Sequence, residues 1–369
     1  MNIILSGGGT AGHVSPALAV AEKILQSDEK SKILFIGREG GGENDAVLKL
    51  GLELKTLKIQ GIKRKLSIDN LRVLYRALKA RGDAQKIIKD FSPDVILGTG
   101  GYVCWPVIKA GIKMGIPTAV HESNLSPGLT TKMLASKCDI IFLNHSDTKN
   151  FLPARAKSIT VGNPLRTDFK ITDRINARKS LGIKDDEFLI LSFGGSIGAE
   201  KLNEVVIDFM QSCSIKDKKI KHIHAVGRRY FDKYRDNPLA KGENGCRILP
   251  YIEDMPRMLS ASDVVISRAG AMTISEIAAV GVASILIPSP NVSDNHQFKN
   301  ASKLEEVGAA LLIEEKNLSV ESLKSAVTSL KNDKNARKNK AKQIKRFDTP
   351  NAAEVIINEL KKLSFRAKV

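Results

Sequence analysis

Short apolar runs recur along the chain, and almost every one stops at a glycine-rich or polar loop that a helical pattern then follows. Strands are predicted over residues 2–6, 33–37, 94–97, 118–121, 140–143 and 160–161. A second series covers 188–193, 222–226, 247–249, 263–266 and 283–288, with Tyr251-Ile-Glu-Asp-Met255 inside it. Helical spacing of apolar side chains falls between them, as over 16–26, 67–80, 201–213, 273–280 and 351–363. Pro16 is placed in the first turn of its helix, where a missing N–H costs nothing. Gly281 closes the helix 273–280. Strand alternating with helix is the α/β pattern of a doubly wound parallel sheet, which binds ligands at the carboxyl ends of its strands. Because the pattern restarts at residue 188, two Rossmann-like domains are expected around a cleft, over 1–162 and 163–347. The break at Asp348-Thr-Pro350 lets a last helix, within 348–369, cross back to the first domain.

The loops carry the chemistry. Ser267-Arg-Ala-Gly-Ala-Met-Thr-Ile-Ser-Glu276 follows the strand 263–266. A strand, a glycine turn and a helix start form an anion site: the N–H groups of Ala271, Met272 and Thr273 point at one phosphate, and the helix dipole favours its charge. Glu276, about one turn inside the helix, is placed to accept both hydroxyls of a ribose diol. Beyond the next strand, Asp294-Asn-His-Gln297 suits a sugar. This half reads as a nucleotide-sugar pocket.

At the other end of the chain, Gly7-Gly-Gly-Thr-Ala-Gly12-His13 follows the first strand. Gly7, Gly9 and Gly12 match GxGxxG with Glu39 after strand two, the dinucleotide fingerprint of an NAD enzyme. The match is weak, because a glycine run fits several templates and Glu39 stands in a glycine loop. No Lys-Ser/Thr pair follows, which excludes the ATPase phosphate loop.

Length allows two cored domains in 369 residues. No apolar stretch is long enough to span a membrane, and Met1 runs straight into the first strand without a signal segment, so a cytosolic protein is expected. Cys104, Cys138, Cys213 and Cys246 are scattered without metal-ligand spacing and read as unpaired, mostly buried thiols. The net charge of +18 calls for an anionic partner. Residues 58–89 hold ten Lys or Arg against two Asp, and 316–346 hold ten against two acidic residues. Nucleic acid is not the expected partner, since no binding motif occurs and aromatics are sparse in both segments. The helix 67–80 carries Ile68, Leu71, Tyr75 and Leu78 beside Arg72, Arg76 and Lys79, with Lys63-Arg-Lys65 upstream. Periodicity alone does not separate a core-packed helix from one lying on an anionic membrane surface.

Six motifs occur in one order: Gly7-Gly-Gly-Thr-Ala-Gly-His13, Gly100-Gly-Tyr102, His121-Glu-Ser-Asn124, Gly162-Asn-Pro-Leu-Arg166, Gly194-Gly-Ser-Ile-Gly-Ala199 and residues 268–276. In this combination the chain resembles, over essentially its whole length, the MurG-type UDP-GlcNAc:lipid I N-acetylglucosaminyltransferases of glycosyltransferase family 28. The resemblance implies the GT-B fold, two Rossmann-like doubly wound domains facing across a cleft. It implies an inverting transfer of GlcNAc from UDP-GlcNAc to the 4-hydroxyl of the MurNAc unit of undecaprenyl-diphospho-MurNAc-pentapeptide (lipid I). The products would be lipid II and UDP, in peptidoglycan synthesis for cell shape and division. No cofactor and no metal are implied, and the sequence has no DxD pair placed to hold one.

Carried over residue by residue, the resemblance sets Thr10, Ala11 and Gly12 near the transferred sugar and Asn124 on GlcNAc. Arg166 and Ser196 would face the diphosphate, and Ile252 would offer its backbone to uracil. Ala271, Met272 and Thr273 would meet the phosphates with Ile274 and Ser275 in the same run, Glu276 the ribose, and Gln297 the GlcNAc hydroxyls. His296 stands where many relatives have a first glutamine. Lipid I would meet His13, Gly100, Gly101, Tyr102 and Glu122. The helix 67–80 lies in the region the family uses for membrane association. Expected partners therefore include an anionic membrane surface and other cell-wall synthesis proteins, at the cytoplasmic face of the cell membrane.

The displacement needs a base for the attacking hydroxyl and charge stabilisation for departing UDP. His13 is the first choice as base, because histidine titrates near working pH, and Glu122 the second. The plainer alternative for His13 is that it orders the glycine loop or binds acceptor phosphate. His121, His145, His222 and His224 read as structural. A diacylglycerol glycosyltransferase and a nonhydrolysing UDP-GlcNAc epimerase are rivals of similar fold; His13 in its loop and His121-Glu-Ser-Asn124 favour the lipid I enzyme.

Overall fold

The computed structural model describes every residue except 43, 61–68, 171–172, 215–216 and 367–369. The chain forms two compact units, one of Met1–Thr167 with Thr349–Val369 and one of Asp168–Asp348.

The first unit holds strands β1 (Asn2–Ser6), β2 (Lys32–Arg38), β3 (Glu53–Leu57), β4 (Val95–Gly98), β5 (Thr118–Glu122), β6 (Ile140–Leu143) and β7 (Ser158–Thr160). They pair in the order β3-β2-β1-β4-β5-β6-β7, every pair parallel. A parallel sheet is covered on both faces, so its central strands are apolar at successive positions. Along β1, Ile3 and Leu5 join Val20 and Ile24 of the helix Ala11–Ser27, while Ile4 points the other way to Val107 and Ile108 of the helix Cys104–Lys113. The last helix, Ala352–Arg366, returns to this unit and buries Ile356, Ile357 and Leu360 in the first of those layers. At about 1.5–3 kcal/mol each, these three side chains hold it there. The return passes Gly162 so closely that a Cβ there would lie 1.9 Å from Thr349 Oγ1.

The second unit holds β8 (Phe188–Phe193), β9 (Ile220–Ala225), β10 (Cys246–Leu249), β11 (Val264–Ser267), β12 (Ala283–Leu286) and β13 (Leu311–Leu312), ordered β10-β9-β8-β11-β12-β13 and again all parallel. Ile190, Ile266 and Ile285 pack with Leu202, Val206 and Phe209 of the helix Glu200–Ser214, and with Leu323 and Val327 of the helix Val320–Asn332. On the other face, Asp263 receives Arg174 at 2.9 Å and Arg178 at 3.1 Å, both from the helix Arg174–Ser180.

Several boundaries differ from expectation. The first helix begins at Ala11, so Pro16 sits in its second turn, and the loop ends at the extended N-cap Thr10. The helix after β11 begins at Ala271, directly behind Gly270. Residues 251–254 form a loop. β3 escaped notice because it is an edge strand with Glu53 and Lys55 paired in solvent at 3.5 Å, and β13 has only two residues. Of the stretch 67–80, Ser67 and Ile68 lie outside the described residues, as does Lys63-Arg-Lys65; the side chains of 69–75 are likewise undescribed. From Asp69 to Phe91 the chain is helical; Ala80, Ala84 and Ile88 face the core, while Leu78 is 46% exposed. Cys104, Cys138 and Cys246 are buried and form no disulfide among the described residues, and Cys213 has no described side chain. Among the described residues, no helix is long and apolar enough to cross a membrane.

Candidate functional site

In a doubly wound sheet the crevice for a ligand opens where strand order reverses. Here that is between β1 and β4 in the first unit and between β8 and β11 in the second. The sequence-marked residues gather at the carboxyl ends of these strands, in two groups, one in each unit.

In the first group, residues 7–10 follow β1 and residues 99–103 follow β4. The loops interlock through main chain: Gly8 N lies 3.4 Å from Gly100 O, and a Cβ on Gly101 would stand 1.9 Å from Gly8 O. Thr99 Oγ1 lies 2.6 Å from His13 O and 3.2 Å from Ser6 O, fastening the helix start to both strands. His13 is in the first helical turn, its ring against Gly100, where a Cβ would come within 2.5 Å of Cδ2. Its Nδ1 is 3.3 Å from Gly8 O and 3.2 Å from Thr10 Oγ1. With its hydrogen on Nδ1 the ring donates to Gly8 O and keeps its lone pair on Nε2; with the hydrogen on Nε2, Nδ1 accepts from the Thr10 hydroxyl. Tyr102 packs against Gly9, whose Cβ would meet its Cε1 at 3.3 Å.

After β5, Glu122 is buried and accepts four hydrogen bonds. Oε1 takes Asn124 N at 3.0 Å and Asn124 Nδ2 at 3.1 Å; Oε2 takes Gly128 N at 2.9 Å and Thr131 Oγ1 at 2.6 Å. Since Asn124 donates from Nδ2, its Oδ1 is turned to the other side. Beside it His121, also buried, donates Nε2–H to Gly162 O at 3.0 Å, and burial pushes its pKa below the ordinary imidazole value. Its role is to tie β5 to the chain's return.

In the second group, the helix Ala271–Val280 leaves β11 behind N-cap Gly270, which has no side chain to cap it. The first rung of its ladder is Ile274 N to Gly270 O at 2.9 Å, so Ala271, Met272 and Thr273 are the first-turn residues whose amides precede the ladder. Ile274 spends its amide on that rung, and its side chain and Ser275 are buried. Thr273 and Glu276, three residues apart on one helical face, are half-exposed. Ser196 is exposed on the turn after β8, closed by Gly198 N to Gly195 O at 3.1 Å. Ile252 follows β10 with its side chain buried, leaving its backbone as the group it presents. Gln297, in the helix His296–Glu306, accepts Ser289 N on Oε1 at 2.9 Å, which leaves Nε2 to donate. His296 donates Nδ1–H to Ser293 O at 2.7 Å.

Arg166 belongs to the other compact unit of the chain. It is exposed in the first unit, beside Thr167, whose hydroxyl and amide reach Glu22 at 3.2 and 3.4 Å. Four residues that hold these loops carried no assigned role from sequence: Thr99, Thr131, Asn300 and Arg268. Only Arg268 left a signal, a charge set directly after a buried strand. Among the described residues, no group of His, Cys, Asp and Glu side chains converges to hold a metal ion.

Models of the glycosyltransferase family 28 N-terminal and C-terminal domains match residues 3–143 and 189–356. The chain is 41% identical, over 98% of its length and 98% of the relative's, to the UDP-N-acetylglucosamine–N-acetylmuramyl-(pentapeptide) pyrophosphoryl-undecaprenol N-acetylglucosamine transferase of Acetivibrio thermocellus. Among solved structures it is similar to MurG of Acinetobacter baumannii, with a TM-score of 0.75 and 28% identity over 98% of this chain and 99% of that one. The UDP-GlcNAc 2-epimerase of Neisseria meningitidis, solved with UDP-GlcNAc, shares the fold with a TM-score of 0.66 at 15% identity, covering 98% and 100% of the two chains.

Proposed function

The chain belongs to glycosyltransferase family 28 and has its GT-B fold, and from that premise we propose how its residues work. It transfers GlcNAc from UDP-GlcNAc to lipid I, giving lipid II and UDP, in peptidoglycan synthesis. The observation that carries the site assignment is the helix start directly behind Gly270, at a strand-order reversal and with Glu276 on the same helix. The 271–273 amides hold the diphosphate, Glu276 the ribose and the backbone of Ile252 the uracil. Ser196 and Arg166 add to the stabilisation of departing charge. Asn124 Oδ1 and Gln297 Nε2 read the sugar.

The acceptor's 4-hydroxyl is deprotonated by His13 through Nε2. The Gly8 carbonyl 3.3 Å from Nδ1 supports this, because an acceptor there favours the tautomer a base requires. Glu122 does not share that role: with both oxygens already accepting two hydrogen bonds each, its carboxylate positions Asn124. Thr10, Ala11 and Gly12 lie under the sugar, and Gly100, Gly101 and Tyr102 meet lipid I. The protein works as a peripheral enzyme at the cytoplasmic face of the membrane, through an anionic lipid surface and alongside other cell-wall synthesis proteins. Exposed Leu78, on a helix rich in Lys and Arg, supports that contact.

The reading is tested by incubating the protein with radiolabelled UDP-GlcNAc and a short-chain lipid I analogue. Labelled disaccharide product is expected, with UDP and not NAD raising the melting temperature. Absence of transfer to a competent acceptor overturns it.

A further inference from the structure

Arg268 opens the turn that leads to the 271–273 amides, where a cation would ordinarily be read as a phosphate ligand. It is 9% exposed, and its guanidinium is committed elsewhere. Nη1 donates to Ile287 O at 3.2 Å and Pro288 O at 3.3 Å, in the loop after β12, and Nη2 pairs with Glu315, beyond β13. That loop continues to Ser289, whose amide donates to Gln297 Oε1. One turn along the helix that carries Gln297, Asn300 Nδ2 lies 3.4 Å from Ala269 O, the residue after Arg268. The contacts close a circuit: the turn before the amides, the 287–289 loop, Gln297, its helix through Asn300, and the turn again.

We propose that Arg268, held by Glu315, is a positioning residue that sets the distance between the phosphate-binding amides and the sugar-reading Gln297, and so determines how strongly the site prefers UDP-GlcNAc over UDP alone. The inference rests on the donor site proposed above. Two segments that would bind opposite ends of one ligand are fixed to each other through a buried cation, with Asn300 closing the circuit. A buried guanidinium pointing at carbonyls is held in one orientation only while its counter-charge is present, because uncompensated it draws water or shifts toward solvent. Glu315 supplies that charge from a side chain 19% exposed, outside the circuit itself. The phosphate amides need no side chain, so loosening the circuit spares UDP binding and costs the sugar contact.

The test compares Glu315→Gln and Arg268→Lys with the wild-type chain. Calorimetry measures Kd for UDP and for UDP-GlcNAc, and the transfer assay measures KM for donor and acceptor. Both variants are expected to bind UDP within twofold of wild type while UDP-GlcNAc affinity falls about tenfold, the size of one lost hydrogen-bonded contact. Donor KM rises to match, and acceptor KM stays within twofold. Arg268→Lys, which keeps the charge but not the fork, is expected to show the smaller loss. An unchanged ratio of UDP to UDP-GlcNAc affinity in a folded Glu315→Gln protein overturns the proposal. A parallel loss of both affinities with a lowered melting temperature also overturns it, because it reduces the pair to a fold brace. Failure of the donor-site reading is distinct: wild type itself would not bind UDP-GlcNAc.

Discussion

The two units share one topology and place different chemistry at the same point in it. Where strand order reverses in Asp168–Asp348, the crevice is finished by main chain: an N-cap without a side chain, then Ala271, Met272 and Thr273, with no acidic residue in the first turn. Where it reverses in the other unit, side chains take over. His13 occupies the third position of the helix, Tyr102 covers Gly9, and Glu122 arranges Asn124 one strand away. Amides attract an anion at any pH and do not act as acid or base near neutral pH, whereas an imidazole does. Topology therefore fixes where a ligand is met, and the loop sequence fixes what is done to it. The same contrast explains why the GxGxxG match does not indicate a dinucleotide site. In that fingerprint the second glycine admits the pyrophosphate, and here the Tyr102 ring stands over that glycine.

The largest test of this contrast is His13→Ala. Turnover is expected to fall by about 10²–10⁴-fold with UDP affinity within twofold of wild type; wild-type turnover in the transfer assay would remove His13 as base. Next comes pH. In the second unit His222 and His224 flank the hydroxyl of Ser192 at 2.7 and 2.8 Å, both fully buried with Phe209 against His222. Burial lowers the pKa of His224 to about 4 and that of His222 well below 6.5. The unfolded chain takes up these protons first as pH falls. The stabilisation is therefore complete above 6.5 and is lost as pH drops through about 4, on the order of 3 kcal/mol for His224. The first unit has one such residue, His121, so hydrogen exchange between pH 7 and 4 is expected to accelerate more in β8 and β9 than in β1 and β4. Equal acceleration would erase the contrast.

Glu122→Gln removes two of the four accepted bonds and is expected to lower kcat/KM by on the order of thirtyfold, chiefly through donor KM. The acid limb of the pH–rate profile stays where it was, since the carboxylate only positions Asn124; loss of that limb would return Glu122 to the role of base. Smallest is Glu276→Ala, which should weaken UDP by about tenfold and leave 2′-deoxy-UDP less affected. Equal losses for the two nucleotides would separate Glu276 from the ribose.

How far the sequence was legible follows burial. β6 and β8 lie where their apolar runs lie, because a strand covered on both faces has no polar position to blur its ends. β3, half in solvent, alternates too weakly to be recognised. The start of the first helix was misplaced because Pro16 signalled a first turn, while the helix is in fact set by Gly9 at φ 90° and the extended Thr10. Glu122 and Arg268 stand inside recognisable motifs, but nothing in those motifs says that they hold other groups in place. Their partners stand up to 47 residues away, and a buried charge is defined by what surrounds it.

By itself the sequence determined the alternation of strand and helix, the loops that end the strands, and the order of six motifs that marks the family. Those properties are local or additive, read from periodicity and from residues a few positions apart. Tertiary structure decided which reversal faces a ligand with amides and which with side chains. It also decided that Glu122 and Arg268 hold other groups in place. For Arg268 the partners are carbonyls and a carboxylate 19 to 47 residues away, which only the closed sheet brings within hydrogen-bonding reach; the donors that Glu122 accepts stand within nine residues, in the turn and helix that follow its strand.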